Sequence, residues 1–213
     1  MGGRGARSGG IKKLHASGNG GSGGSNFSNG LGFQNYRTGA EALGRQGKPM
    51  NIADAVNNAN PHYDKTGMYS EFNENCQRCV VAYEARRRGY DVTAQPTYRG
   101  DTMSIDENWN KAFENPQPAT VTSRAQVEVT MASYGSGARA VLSFDWKDGR
   151  SGHVINVEYN RGHITYLDPQ VGGKYVGSEL FSAISTTSNM KLTRVDNLNF
   201  SDGVKNAVTK DKW

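Results

Sequence analysis

The chain has 213 residues and a formal net charge of +5, with two cysteines, Cys76 and Cys79. This length suffices for one domain with a buried core, and two cysteines this close together exclude a disulfide framework that links distant segments. No apolar run has the length of a membrane span, and the N-terminus lacks the apolar stretch of a conventional signal peptide, so we expect neither.

The positive charge lies at the start of the chain. Residues 1–40 contain five lysines and arginines and no acidic residue, so the remainder sums to zero. Residues 1–48 are also rich in Gly, Ser and Asn, a composition that cannot bury enough apolar surface to offset the entropy of ordering. We therefore predict a flexible basic arm over 1–48 and a folded domain over 49–213. The arm favours weak, salt-sensitive contact with polyanions rather than a basic nucleic-acid-binding fold.

The folded part begins with helices. A short helix is predicted over 52–58, followed by a stronger one over 76–88. Asn75 is a favourable N-cap for the second helix, and Gly89 stands where a C-terminal glycine is common. The apolar residues of this helix recur at the spacing of one buried face.

The spacing of apolar residues changes from a helical to a strand pattern later in the chain. Two capping boxes, at Ser104 and Ser123, each predict a helix, and from residue 138 onward an apolar period of two indicates antiparallel strands. The predicted strands cover 90–95, 138–144, 154–159, 164–168 and 191–195, with a helix over 178–184. Helices followed by a strand meander predict an α+β fold, with a cysteine helix and further helices packed on an antiparallel sheet.

The two cysteines differ in position. A thiol is an effective nucleophile only as the thiolate, which the N-terminus of a helix stabilises. Cys76 lies at such an N-terminus, whereas Cys79 lies one turn later on the apolar face, where a cysteine is usually a small buried residue. Cys76 is therefore the candidate nucleophile.

A predicted hairpin brings His153 near Asp168. A turn centred on Asn160 and Arg161 places the two residues directly opposite each other, and a shift of one makes them diagonal neighbours. Either register permits a carboxylate to hold one nitrogen of the imidazole while the other nitrogen faces a thiol. His153 is therefore the candidate base and Asp168 the residue that orients it.

Three segments carry a family pattern: Asn75-Cys-Gln-Arg-Cys-Val-Val-Ala-Tyr-Glu-Ala-Arg-Arg-Arg-Gly-Tyr-Asp-Val92, Gly152-His-Val-Ile-Asn-Val157 and Leu167-Asp-Pro-Gln170. Together they resemble the papain-fold glutamine-deamidase toxins, which are modules of bacterial and phage polymorphic toxins. The resemblance extends over about residues 50–200, keeps the order Cys, His, Asp, and shows no departure at those three positions. It implies a papain-like fold and catalytic roles for Cys76, His153 and Asp168.

The chemistry that the resemblance implies is acyl transfer. Cys76 attacks a side-chain carboxamide, His153 protonates the leaving ammonia, and water hydrolyses the thioester, which converts glutamine to glutamate. The backbone N–H of Cys76 is one expected oxyanion donor, and the side chain of Asn73 or Asn75 is a candidate second. Gln170 is either a substrate-pocket residue or a turn residue. We expect neither a metal nor a cofactor.

Two other functions remain open at this point. A cysteine protease or isopeptidase uses the same triad and differs only in the pocket for the leaving group. A non-catalytic phage head or DNA-associated protein is favoured by the basic arm and disfavoured by the intact triad.

Individual residues also have other interpretations. Cys76 and Cys79 could form a redox pair, or could join His153 and His163 in a zinc site. The run Arg86-Arg87-Arg88 is more typical of a solvated helix end than of a nucleic-acid contact.

The resemblance also implies where the protein acts. We expect a protein substrate in the cytoplasm of a target cell, no membrane contact, and delivery by secretion or in a virion without a conventional signal peptide. An immunity protein and a phage or secretion carrier are the expected further partners. The start Met1-Gly-Gly-Arg-Gly-Ala6 resembles the N-termini of some phage-associated proteins.

Overall fold

The computed structural model describes residues 35–66, 70–98, 100–101, 103 and 107–211. Most of the predicted arm, residues 1–34, lies outside this range, as does Ser104, which begins the first predicted capping box. Within the part that is described, no helix has the length and apolar character needed to cross a membrane.

The helices agree with most of the predicted ones. Ser123 caps its helix as predicted, since its hydroxyl accepts a hydrogen bond from the N–H of Gln126 at 3.3 Å. A short 3₁₀ helix at Asn108–Ala112 follows the other predicted box. The α-helices of the described residues are α1 (Gly39–Leu43), α2 (Ile52–Asn57), α3 (Cys76–Arg87), α4 (Arg124–Tyr134) and α5 (Gly177–Ala183), and a second 3₁₀ helix covers Asp202–Asn206.

The strands form one large and one small sheet. They are β1 (Thr93–Ala94), β2 (Pro118–Thr120), β3 (Arg139–Asp145), β4 (Gly152–Asn160), β5 (His163–Asp168), β6 (Gly173–Tyr175), β7 (Lys191–Arg194) and β8 (Val208–Thr209). The larger sheet has the order β2-β7-β3-β4-β5-β6, and β1 pairs with β8. All of these pairs are antiparallel. The predicted α+β class is confirmed. The strand predicted over 90–95 is reduced to β1.

The larger sheet is covered on both faces. Val141 and Val154 belong to a core cluster with α3, whereas their neighbours Leu142 and Ile155 belong to a second cluster with α4 and α5. Successive residues of a strand point to opposite faces, so strands β3 and β4 carry apolar side chains on both. This burial fixes β4, and therefore His153, between the two layers.

Helix α3 is buried nearly all round rather than on one face. Its charged residues are buried with it: Glu84 is 0% exposed and accepts hydrogen bonds from Arg88 at 2.7 Å and from Arg139 at 2.7 Å. Arg87 pairs with Glu158 on β4 at 2.6 Å. The prediction that Arg86-Arg87-Arg88 is a solvated helix end is therefore wrong, because these guanidinium groups bind partners inside the domain.

The β4–β5 hairpin adopts the second of the two predicted registers. Asn160 pairs with His163, so the two-residue turn consists of Arg161 and Gly162, which have φ angles of 48° and 86°. Positive φ at both positions is the geometry of a type I′ turn, which glycine favours. His153 and Asp168 are consequently diagonal neighbours across the hairpin.

The folded part begins earlier than the predicted boundary at residue 48. In α1, Ala42 is 0% and Leu43 is 7% exposed, and the N–H of Gly39 donates to the carboxylate of Asp202 at 2.6 Å. Tyr36 hydrogen-bonds Thr209 at 2.7 Å. The partners of this segment come from the C-terminal part of the chain, which is why local composition did not reveal the packing.

Deleting residues 1–48 is therefore expected to destabilise the domain. The deletion removes the buried side chain of Leu43 and uncovers its neighbours, which should lower the free energy of unfolding by at least about 2 kcal/mol. The measurement is urea unfolding of this truncation beside one that removes only residues 1–34, whose composition predicts little contribution. Equal stability of the two truncations would contradict the packing of α1.

Candidate active site

Cys76 is the first residue of α3. The first intrahelical bonds of this helix run from the N–H groups of Arg78 and Cys79 to the carbonyl of Asn75. The N–H of Cys76 lies ahead of them in the first turn, where a helix offers no acceptor of its own. The side chain of Cys76 is partly exposed and lines a cleft. The residue thus presents its thiol to the cleft, and its backbone N–H is not needed by the hydrogen bonds of the helix itself.

His153 lies opposite this thiol on β4. Its Nε2 is 2.8 Å from Oδ2 of Asp168. His153 and Cys76 line the same cleft, where the Cys76 side chain helps to raise the pKa of His153. Because Nε2 is hydrogen-bonded to the carboxylate, Nδ1 is the ring nitrogen left for the thiol. The structure therefore brings together Cys76, His153 and Asp168.

Asp168 is held from three sides. Its Oδ2 accepts a second hydrogen bond from the hydroxyl of Tyr175 at 2.8 Å, and its Oδ1 accepts one from the backbone N–H of Gln170 at 3.0 Å. Asp168 is 1% exposed. Burial would raise the pKa of this carboxyl, but the hydrogen bonds from His153, Tyr175 and Gln170 outweigh it and lower the pKa. Asp168 is thus held as a carboxylate behind the imidazole.

Aromatic rings shield the pair formed by His153 and Asp168. Trp146 stacks on the imidazole at a centroid distance of 5.5 Å and an angle of 25°, and Phe144 meets it edge-on at 5.8 Å. Arg150 lies over the Trp146 ring at 4.6 Å. The sequence analysis did not identify Trp146 as part of the site. The period of two along the strand could have done so. Phe144 pairs with His153, and Trp146, two residues after Phe144, lies on the same face of the sheet as Phe144.

These residues line a cleft of about 860 Å³. Its remaining walls combine aromatic and polar side chains that the sequence analysis did not select. They include Tyr63, Glu74, Gln77, Glu107, Asp145, Arg150 and Tyr175. The volume is in the range of ligand pockets, which is roughly 300–1,000 Å³.

Asn75 does not act as the predicted side-chain cap of α3. Its side chain turns inward instead: Nδ2 donates to the carbonyl of Gln95 at 3.1 Å and to the side-chain oxygen of Asn60 at 3.2 Å. Oδ1 accepts from the thiol of Cys79 at 3.1 Å. Both amide hydrogens of Asn75 are therefore used within the protein, which does not fit an oxyanion donor.

The other two candidate residues also brace the backbone. Asn73 accepts a hydrogen bond from the N–H of Asp64 at 2.9 Å and donates to the carbonyl of Asp64 at 3.0 Å. Gln170 lines the cleft, and its Nε2 donates to the carbonyl of Asn73 at 2.9 Å. The side chain of Gln170 thus joins the turn after Asp168 to the segment before Cys76.

His163 lies at the turn of the hairpin, at the opposite end of β4 from His153. Among the residues described, no group of three or more His, Cys, Asp or Glu side chains has an arrangement that could hold a metal ion. The zinc interpretation therefore lacks a converging set of ligands there.

The two cysteines are expected to react at very different rates with iodoacetamide. Cys79 is 0% exposed, and burial raises the pKa of its thiol well above the ordinary value. Cys76 is open to the cleft, so brief alkylation followed by peptide mapping should label Cys76 first. Faster labelling of Cys79 would contradict the assignment of the nucleophile.

His153 is expected to remain protonated at unusually high pH. Burial alone would lower the pKa of His153, but its hydrogen bonds to Asp168 and Cys76 outweigh burial and raise the pKa to about 10. This raised pKa stabilises the folded state fully below the ordinary histidine value of about 6.5, and the contribution is lost as the pH rises through about 10.

NMR titration of the imidazole signals tests this directly. Asp168→Asn should move the titration of His153 back toward the ordinary value, because the main partner loses its charge. A wild-type His153 that titrates near about 6.5 would show that the pairing with Asp168 is weak.

One comparison with known proteins covers the segment that contains these residues. No curated protein and no solved structure matches the chain. A family described as papain fold toxin 1, glutamine deamidase, matches residues 74–173, which contain Cys76, His153 and Asp168. The papain-like fold and the resemblance to papain-fold glutamine-deamidase toxins, inferred above from three motifs, are therefore confirmed over residues 74–173.

Proposed function

We propose that this protein deamidates glutamine side chains of a target protein through a Cys76-His153-Asp168 triad and a thioester intermediate. The observation that carries the proposal is the hydrogen bond between Asp168 and His153 in the same cleft as Cys76, which begins α3. The matching family supports the reaction, since its description names a glutamine deamidase.

In the first step the Cys76 sulfur attacks the carbon of a glutamine side-chain amide. The charge that develops on the amide oxygen is stabilised by the backbone N–H of Cys76, which lies in the first turn of α3. Protonated His153 then gives its Nδ1 proton to the departing nitrogen, and ammonia leaves. The product is a thioester between Cys76 and the glutamyl side chain.

In the second step water attacks the thioester. His153, now neutral at Nδ1, takes one proton from the water, and the Cys76 sulfur leaves as a thiolate. The product is a carboxylic acid, which loses its remaining proton to solvent and becomes the glutamate carboxylate. Asp168 stays ionised throughout and holds Nε2–H, so that the same nitrogen always faces the thiol. Trp146 limits the access of water to the His153–Asp168 hydrogen bond, which strengthens it.

Ammonia release from peptides with blocked termini and an internal glutamine is the test. The proposal predicts ammonia, an unbroken peptide chain and no product with Cys76→Ala. A protease or isopeptidase would release a new amine instead, and a non-catalytic protein would release neither. Matched peptides with asparagine in place of glutamine show whether the cleft selects the longer side chain.

The partners remain part of the proposal. A protein target agrees with a toxin family, and we propose that an immunity protein acts by covering the cleft. Weak polyanion contact by the basic arm, a phage or secretion carrier, and action in the cytoplasm of the target cell rest on the sequence alone.

A further inference from the structure

Asn60 connects two separate segments, the one that leads into Cys76 and the turn after Asp168. Its Nδ2 lies 2.8 Å from the carbonyl of Phe72, 2.9 Å from the carbonyl of Gln170 and 3.2 Å from Oδ1 of Asn75. Its Oδ1 accepts a hydrogen bond from Asn75 at 3.2 Å. Asn60 is 5% exposed, so these bonds are shielded from water.

Each contacted segment carries part of the triad. Asn75 directly precedes Cys76, and its own amide is anchored further on the carbonyl of Gln95. Gln170 follows Asp168 by two residues, and its backbone N–H donates to the Asp168 carboxylate at 3.0 Å. A single buried amide thus fixes the start of α3 relative to the turn that holds the orienting carboxylate.

We propose that Asn60 is a positioning residue that sets the separation between Cys76 and the His153–Asp168 pair. The inference rests on the proposed function, and Asn60 lies outside the segment 74–173 that the family matches. Only an amide suits this place, because the side chain must donate to two carbonyls and accept from Asn75 at the same time. An aspartate can accept but has no N–H for either carbonyl.

The expected consequence is a loss of rate rather than of binding. A misplacement of about 1 Å between reacting groups costs roughly a hundredfold in rate. Asn60→Ala should therefore lower kcat by about ten- to a hundredfold with little change in KM. It should also slow the alkylation of Cys76, because the thiol loses its fixed contact with His153.

The experiment compares Asn60→Ala and the milder Asn60→Ser with Asn58→Ala. Asn58 lies two residues away and is exposed, and its side-chain amide bonds only Asp54 in the described structure. We measure kcat and KM for the blocked glutamine peptide, the rate of Cys76 alkylation, and melting temperature. Both Asn60 variants should be folded at the assay temperature and slow in turnover and alkylation, while Asn58→Ala should behave as wild type.

The outcomes separate the two proposals. If the wild type deamidates the peptide and Asn60→Ala does so equally fast, Asn60 is not a positioning residue. If both Asn60 variants are unfolded at the assay temperature, Asn60 has a structural role and the inference is overturned. If no glutamine peptide is a substrate but Cys76 alkylation still slows in the Asn60 variants, the positioning role stands and the proposed function fails.

Discussion

Cys76→Ala and His153→Ala are each expected to reduce glutamine deamidation to the background rate. The first variant has no nucleophile, and the second has no group that can activate the thiol or protonate the leaving ammonia. In triad enzymes such losses reach several orders of magnitude, because the members act as a unit. We expect a fall of at least about four orders of magnitude for each variant, and the double variant should lose no more than either single one.

Initial rates of ammonia release measure this, with circular dichroism as the check on folding. His163→Ala is the matched control, since His163 lies on the same hairpin but is exposed at its turn. Substantial turnover in His153→Ala would mean that another group serves as the base. Additive losses in the double variant would mean that Cys76 and His153 act independently.

Glu84→Gln is expected to lower the free energy of unfolding more than the substitution of an exposed glutamate. Glu84 is 0% exposed and pairs with both Arg88 and Arg139, so neutralising it removes the carboxylate to which both guanidinium groups are bonded. Breaking a buried ion pair by removing one partner typically costs about 3–5 kcal/mol. The ion pair between Glu84 and Arg139 also joins α3 to β3, the strand beside the one that carries His153.

The control for this prediction is Glu128→Gln. Glu128 pairs with Arg124 at 2.6 Å with the same i, i+4 spacing as Glu84 and Arg88, but the two side chains of this pair are 37% and 47% exposed. Exposed pairs of this kind contribute only about 0.3–0.5 kcal/mol. Urea unfolding of the two variants measures the difference, and equal stability would show that the buried network contributes little.

The elements and the pairing of His153 with Asp168 were predictable because their signals are local, and the meeting of that pair with Cys76 was implied by the family resemblance. A period of two identified the strands around His153 and Asp168, and the connecting residues Asn160, Arg161 and Gly162 left two registers open. The helix start at Cys76 followed from a short polar lead-in. Each of these features depends on neighbours within one hairpin or one helix.

The features that were missed depend on distant partners. Arg87 resembled a solvated helix end because Glu158, its partner, lies 71 positions away. The segment around α1 resembled a linker because Asp202 and Thr209, which bind it, lie near the end of the chain. Asn75 is of a residue type that favours the N-cap position, but its side chain bonds the buried amide of Asn60 instead of the backbone of α3.

Mass spectrometry of target-cell proteins tests the central claim most directly. Lysate proteins are exposed to the wild type or to Cys76→Ala, and their peptides are compared for conversion of glutamine to glutamate. The triad predicts that specific glutamine residues are converted by the wild type alone, with no new peptide-bond cleavage. Identical peptides in both samples, or cleaved chains in place of converted glutamines, would contradict a Cys76-dependent glutamine deamidase.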